Sequence, residues 1–145
     1  VQAKELGSTD LIIKVNEYQS TKHFEVVDIN YSYGRLNESN AVGGLVGNYT
    51  NNKYDEVEGG NIYEFATYSY IRKMSILEFD ESGEIIKANM DIAVNNETLE
   101  DGRNKYYITL TLNENTTKVR FSCVVSGAYS TNMNKVFGTY TVTKL

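Results

Sequence analysis

Polar and apolar residues alternate with a period of two along much of this chain, most clearly in its C-terminal half. Residues 106–112 place Tyr, Ile and Leu on one face and Tyr and Thr on the other, and residues 118–125 alternate Val, Phe and Cys with Lys, Arg and Ser. A period of two is typical of half-buried antiparallel strands. The polar residues 113–116 lie between these two strands and predict a hairpin turn.

The same alternation predicts further strands and a second hairpin, whose turn falls at residues 81–83. Residues 11–18 also fit an apolar helical stripe, but the β-branched run within 12–15 favours a strand. The remaining predicted strands, which bring the total to about eight or nine, are 24–33, 44–49, 62–73, 75–80, 84–94 and 136–143.

Short strands joined by short polar turns predict one all-β domain over residues 1–145. No internal repeat or linker interrupts this pattern, and the chain has no Pro. A sheet of about eight strands has two edges, which it loses when it closes. We therefore expect an antiparallel meander closed into a small, calycin-like β-barrel, whose interior has room for packed side chains or for one small ligand.

Composition argues against several classes of partner. The formal net charge is −5, and no run of Lys or Arg exceeds two residues, whereas nucleic acid or an anionic membrane surface requires a basic patch. No apolar run approaches the length of a transmembrane helix. Cys123 is the only Cys, which excludes an intrachain disulfide and a thiolate metal cage. We expect no metal and no cofactor.

The compartment stays open between secreted and cytoplasmic. The first residues, Val-Gln-Ala, have the small-x-small pattern of a signal-peptide cleavage site. The chain also holds five Asn-x-Ser/Thr sequons, about twice the number that chance predicts, which is weak support for glycosylation. These sequons start at Asn30, Asn37, Asn48, Asn96 and Asn115.

The most informative stretch is residues 26–55, where Asp28 and Asn30 share one face of a predicted strand. A polar pair that faces a barrel interior must be hydrogen-bonded or used on a ligand. Alternation alone favours the opposite register, which places Val27, Ile29 and two tyrosines in the core and leaves Asp28 and Asn30 on the surface.

Three short motifs follow each other here: Val-Asp-Ile-Asn at 27–30, Gly-Gly-Leu-Val at 43–46 and Tyr-Thr-Asn-Asn-Lys-Tyr-Asp at 49–55. They resemble the opening of the allene oxide cyclase barrel, which reads roughly Glu-Ile-Asn, Gly-Asp-Leu-Val and Phe-Thr-Asn-Lys-Leu-Tyr-Asp. The Gly-punctuated ending at 126–142 is similar too, and dirigent proteins and bacterial spirotetronate cyclases have related small barrels. The family's Ser-Pro pair has no counterpart in this chain.

The resemblance implies a barrel that binds a hydrophobic small molecule in its lumen and steers its conformation as a cyclase or isomerase. It also implies a homo-oligomer, a dimer or a trimer. If Asp28 and Asn30 face the lumen, the apolar residues beside them face outward and are buried by a neighbouring subunit. By position, Asp28 replaces the family's Glu, and Asn30 and Asn51 replace polar residues that hold substrate or water. These three are the predicted catalytic residues. The predicted ligand-binding residues are Tyr49, Tyr68, Tyr70, Phe121 and Tyr140.

Two other functional hypotheses remain open. The chain has twelve Tyr and no Trp, and several Tyr fall on neighbouring predicted strands. A non-enzymatic, secreted β module that binds a glycan or a protein would present such a Tyr-rich face to solvent. A purely structural subunit would have a filled interior instead. A cyclase predicts that Tyr68 or Tyr70 lines an enclosed cavity.

Acidic residues supply weaker candidates. Glu78 and Asp80 lie two apart on one strand face, where they form a possible carboxylate pair. Asp55, Glu56 and Glu58 precede two glycines but lack the ligand spacing of a known calcium loop, which favours a solvated turn.

Overall fold

The computed structural model describes residues 7–15, 18–26, 31–44, 47–125 and 133–145. In this part of the chain the strand pairings are all antiparallel, which confirms the all-β, antiparallel fold class. No helix among these residues is both long and apolar enough to cross a bilayer. The elements are β1 (Gly7–Val15), β2 (Tyr18–Val26), β3 (Tyr31–Tyr33), β4 (Arg35–Leu36), β5 (Val42–Gly43), β6 (Asn48–Asn51), β7 (Asp55–Glu56), β8 (Ile62–Thr67), β9 (Lys73–Phe79), β10 (Ile85–Ala93), β11 (Asn95–Thr98), β12 (Asn104–Thr111), β13 (Lys118–Val124), α1 (Met133–Thr139) and β14 (Thr141–Lys144).

These strands form two main sheets and two smaller ribbons. The six-stranded sheet has the order β10-β9-β13-β6-β3, and β7 also pairs with β13. The four-stranded sheet has the order β11-β12-β8-β14, while β1 pairs with β2 and β4 with β5. Within the described residues no sheet closes on itself. The closed barrel predicted from the sequence is therefore not found there.

One core of buried side chains lies between the two main sheets. Phe65 and Ile108 enter it from the four-stranded sheet, and Ile76 and Phe121 enter it from the six-stranded sheet, each at most 2% exposed. Val136 of α1 packs into the same cluster. Because both sheets contribute to one core, they pack face to face as two layers.

The hairpin predicted at residues 113–116 is wrong. β12 pairs with β8 and β11, whereas β13 pairs with β9, β6 and β7, so the chain crosses here from one sheet to the other. The crossing allows the apolar faces of both strands to cover each other across the core. Alternation identifies the apolar face of a strand, but it does not identify the strand's partner.

The buried carboxyl group of Glu78 holds this crossover in place. Glu78 is 0% exposed and lies directly opposite Val119 on the inner face of the sheet. One of its oxygens accepts hydrogen bonds from the Asn113 backbone N–H (2.7 Å) and the Thr116 hydroxyl (2.6 Å). The other oxygen accepts one from the Asn89 amide at 2.8 Å. The contacts tie β9, β10 and the crossover together.

The other predicted elements agree in part. The hairpin at 81–83 is confirmed by the pairing of β9 with β10, and the strand expected over residues 11–15 is confirmed by β1. The final strand begins only at Thr141, because residues 133–139 form α1 instead. Val136 of that helix is buried in the core, although the alternation predicts that it begins a strand.

The outer face of the six-stranded sheet is covered by the β4–β5 ribbon. A row of small hydroxyl residues attaches it: Thr50 donates to the Gly34 carbonyl (2.9 Å), and the Ser122 hydroxyl accepts from the Leu36 N–H (3.4 Å). Gly34 has a φ of +124°, and a Cβ there would lie 2.5 Å from the Gly43 carbonyl oxygen, so a larger residue does not fit. Leu36 packs on Leu77 in a second, smaller core.

We expect Glu78→Gln to lower the free energy of unfolding by about 2 to 3 kcal/mol, because the new amide turns a donor toward the donors that now bind the carboxyl. Urea denaturation measures this value. The matched control is Glu81→Gln, on an exposed residue of the neighbouring turn, for which we expect a change within about 0.5 kcal/mol. Equal effects of the two substitutions would contradict the role assigned to Glu78.

Candidate functional site

The predicted catalytic residues are not assembled into one site in the described structure. Asp28 and Asn30 lie outside the described residues, so their roles stay predictions. Asn51 is buried in β6, where its side-chain oxygen accepts the Lys53 N–H (3.0 Å) and its carbonyl accepts Arg120 Nε (2.9 Å). Both bonds fix the turn that follows β6.

Three of the predicted ligand-binding residues form part of an aromatic stack inside the core. Tyr140 stacks on Phe121 with ring centroids 4.3 Å apart, and Phe121 contacts Phe137 at 5.6 Å. Tyr31 stacks on Phe137 at 4.7 Å and meets Tyr49 edge-to-face at 6.0 Å. These rings fill the space between the sheets where the sequence predicts a ligand cavity.

The other two predicted ligand-binding residues lie away from this stack. Tyr70 is 47% exposed and contacts Tyr106 edge-to-face at 5.5 Å. Tyr68 is half-buried, and the Arg103 guanidinium lies 4.7 Å from its ring centroid. The five predicted aromatic residues therefore divide between the core and the surface.

The single cysteine and the carboxylate pair predicted from the sequence do not form a reactive site. Cys123 is 1% exposed, and burial raises the pKa of its thiol to about 12, so the thiolate that nucleophilic catalysis requires does not form near neutral pH. Asp80 accepts hydrogen bonds from the Ser82 and Glu84 N–H groups in a turn, apart from Glu78. Within the described residues, no three His, Cys, Asp or Glu side chains meet in a way that holds a metal ion.

A groove of about 400 Å³ lies on the outer face of the six-stranded sheet, and it combines one exposed aromatic ring with charged groups. Tyr54 is 43% exposed and contacts Phe79 edge-to-face, with ring centroids 5.2 Å apart. The residues that line the groove are Asn40, Tyr54, Glu56, Phe79, Gly83 and Lys118.

The wall of this groove is built by a short turn in the chain between β4 and β5. The Asn37 side-chain oxygen accepts the Ser39 and Ala41 N–H groups, both at 2.9 Å. This turn places Asn40 at a φ of +63°, a left-handed conformation that Asn tolerates better than most residues. The Asn40 amide then donates to the Tyr54 hydroxyl at 2.8 Å.

Arg120 contacts both of these side chains, Asn40 and Tyr54. Its Nη1 donates to the Asn40 side-chain oxygen at 2.7 Å, and its guanidinium lies 5.4 Å from the centroid of the Tyr54 ring. The Tyr54 ring is thus held by a hydrogen bond, a cation–π contact and Phe79. It is positioned before any ligand arrives.

Glu56 and Lys118 supply one charge of each sign at the groove. They lie directly opposite each other in the β7–β13 register and are both exposed. In the described part of the chain neither side chain forms a hydrogen bond or an ion pair. A carboxylate acceptor and an ammonium donor are therefore free to bind a ligand beside the ring pair.

Two other surface depressions combine fewer of these features. One of about 470 Å³ is lined by Arg35 and Met90, but Arg35 is already ion-paired with Asp91. Another of about 670 Å³ lies among the acidic turn residues Asp80 and Glu114 and has no aromatic wall. Among the described pockets, the groove at Tyr54 is the best candidate site.

Sequence reasoning missed this groove although its central residues stand in the motif at 49–55. Alternation through Tyr54, Asp55 and Glu56 indicates that the first and last share a face. The opposite wall comes from Asn40 and Phe79, which are distant in sequence. No local signal brings these segments together.

Comparisons with known proteins give no assignment. The chain matches no protein-family model, no curated protein and no solved structure. The resemblance to allene oxide cyclases therefore rests on the short motifs alone.

Because the Cys123 thiol is buried and its pKa is about 12, we expect it not to react with iodoacetamide in the native protein at pH 8. The thiol should react fully once the protein is unfolded in urea, as measured by intact mass. Native and unfolded protein labelled at similar rates would contradict the buried, protonated state.

Proposed function

We propose that the protein is a non-enzymatic binding module whose outer groove recognises a neutral saccharide. The observation that carries the proposal is the exposed, fixed ring of Tyr54 flanked by the unpaired charges of Glu56 and Lys118. The groove lies on the outside of the fold, and the interior between the sheets is occupied by stacked rings. This combination supports a surface binding module over an enclosed reaction chamber.

The chemistry of the groove suits a sugar ring. A saccharide has an apolar C–H face, which packs on an aromatic ring, and hydroxyl groups that both donate and accept hydrogen bonds. Glu56 accepts from a hydroxyl and Lys118 donates to one. The volume of about 400 Å³ is in the range of small-ligand sites, enough for a short oligosaccharide segment.

The fixed position of Tyr54 favours affinity. A free Tyr side chain loses rotamer entropy when it binds, whereas Tyr54 is already held by Asn40 and Arg120. A neutral ligand also suits the groove. The charges of Glu56 and Lys118 are opposite and cancel, so the pair does not favour an ionic ligand of either sign.

A cyclase is supported less well. Directing a reactive substrate by containment requires an enclosed apolar space. In the described residues, Phe121 and Tyr140 pack against each other in the interior. The oligomer implied by the resemblance has no separate support.

We expect Tyr54→Ala to weaken saccharide binding by at least about tenfold, which corresponds to about 1.4 kcal/mol. The reason is the loss of the ring face on which the sugar packs. A glass-bound array of neutral oligosaccharides identifies a ligand, and isothermal titration calorimetry with that ligand gives the affinity.

The matched control is Tyr70→Ala, which removes a ring of similar exposure at a different surface. We expect it to bind as the wild type does, while Tyr54→Phe keeps most of the affinity because it keeps the ring. A wild-type protein that binds no neutral oligosaccharide, or variants at 54 and 70 with equal losses, would refute the proposal.

A further inference from the structure

Three buried polar atoms belong to residues near the groove: two to residues on the segments that line it, and one to Tyr140, which lies between α1 and β14. Asp55 Oδ2, Thr117 Oγ1 and the Tyr140 hydroxyl are buried, and none forms a hydrogen bond of normal geometry. The Tyr140 hydroxyl nevertheless faces the Asp55 carboxyl closely enough for the two groups to interact. Buried polar groups without partners are rare in folded proteins and call for an explanation.

The register of β7 and β13 connects these atoms to the groove. Asp55 lies opposite Val119, a fully buried core residue, so its side chain points inward, whereas its neighbours Tyr54 and Glu56 line the groove outside. Thr117 accepts the Val57 N–H through its carbonyl and precedes the groove residue Lys118. The segments around β7 and the start of β13 thus carry the groove on one face and the Asp55 and Thr117 oxygens on the other, while Tyr140 reaches the Asp55 carboxyl from the segment between α1 and β14.

We propose that protonation of Asp55 controls the groove, so that the neutral carboxyl holds β7 in the binding conformation and the ionised carboxylate releases it. This inference rests on the proposed function, because it describes the regulation of the same site. β7 has two residues, and β13 is its pairing partner in the described sheets. Such a short strand has few contacts that resist a shift.

The charged form of Asp55 is disfavoured where it lies. Burial raises the pKa of Asp55, and the Tyr140 hydroxyl and the Lys53 ammonium oppose this only in part. The pKa of Tyr140 is itself well above its usual value, mainly because of burial, so this group stays neutral. Glu78 of β9 lies opposite Val119 on the other side from Asp55, and a carboxyl group adds no positive charge there. On β13, the residue directly opposite Asp55 is the uncharged Val119.

The sign of the pH effect follows from the raised pKa. A carboxyl group with a higher pKa in the folded state stabilises that state below its unfolded pKa of about 3.9, and this contribution is lost as the pH rises through the folded pKa. The attachment of β7, and with it the affinity of the groove, should therefore decrease from acidic to neutral pH.

The test compares the wild type with Asp55→Asn, which imitates the neutral carboxyl in size and charge. Hydrogen exchange of peptides that span residues 53–57, corrected for the intrinsic effect of pH, reports the attachment of β7 at pH 4.5 and 7.5. We expect faster exchange at pH 7.5 in the wild type and no such change in Asp55→Asn. Saccharide affinity should fall by about fivefold or more over the same range only in the wild type.

Two further variants test whether the pH effect belongs to Asp55 itself and depends on its contact with Tyr140. Asp101→Asn changes an exposed aspartate whose pKa is lowered mainly by the backbone N–H of Arg103, and it should behave as the wild type does. Tyr140→Phe removes a donor to the carboxylate, so the transition should move to higher pH, which also serves as the test if Asp55→Asn fails to fold.

Each outcome decides the question. Exchange that keeps its pH dependence in Asp55→Asn overturns the inference, whether or not a saccharide binds. A pH dependence of binding that disappears in Glu56→Gln and persists in Asp55→Asn also overturns it, because the groove's own carboxylate is then the sensor. If no neutral saccharide binds at all, the proposed function fails, while the exchange measurement still tests the control of β7.

Discussion

The two-layer arrangement depends on the buried carboxyl group of Glu78. The chain must pass from the four-stranded sheet to the six-stranded sheet between β12 and β13, and this passage exposes backbone groups that no strand pairs. Glu78 accepts the backbone N–H of Asn113 and the side-chain hydroxyl of Thr116 while lying in the core beside Val119. A buried network that is fully hydrogen-bonded fixes one geometry, because any displacement leaves polar groups without water or partners.

The six-stranded sheet uses its two faces differently. Its inner face is mostly apolar, with Glu78 as a buried exception, and packs on the other sheet. Its outer face carries small hydroxyl residues, such as Thr50 and Ser122, that bind the β4–β5 ribbon. The ribbon in turn forms one wall of the groove at Tyr54. Because side chains alternate along β7, the environment of Asp55 in the core is connected to the outer surface through a single peptide segment.

The candidate site was only partly accessible from the sequence. The motif at 49–55 draws attention to the right segment, and alternation separates Tyr54 and Glu56 from Asp55. The resemblance instead directs attention to an inner cavity and to Asn51, whose side chain completes a turn. Asn40 and Lys118 join the site through long-range packing, which no spacing in the sequence encodes.

By itself the sequence determined the elements whose cause is local: strands with one apolar face near residues 75–80, 84–94, 106–112 and 118–125, and the tight turn at 81–83. Backbone hydrogen bonding and side-chain alternation need only neighbouring residues, so a period of two is sufficient evidence. The tertiary structure decided which strands pair, that 113–117 is a crossover and that residues 133–139 form a helix. Those outcomes depend on which distant segment packs against each apolar face. A pattern along the chain identifies the apolar face but not the segment that packs on it.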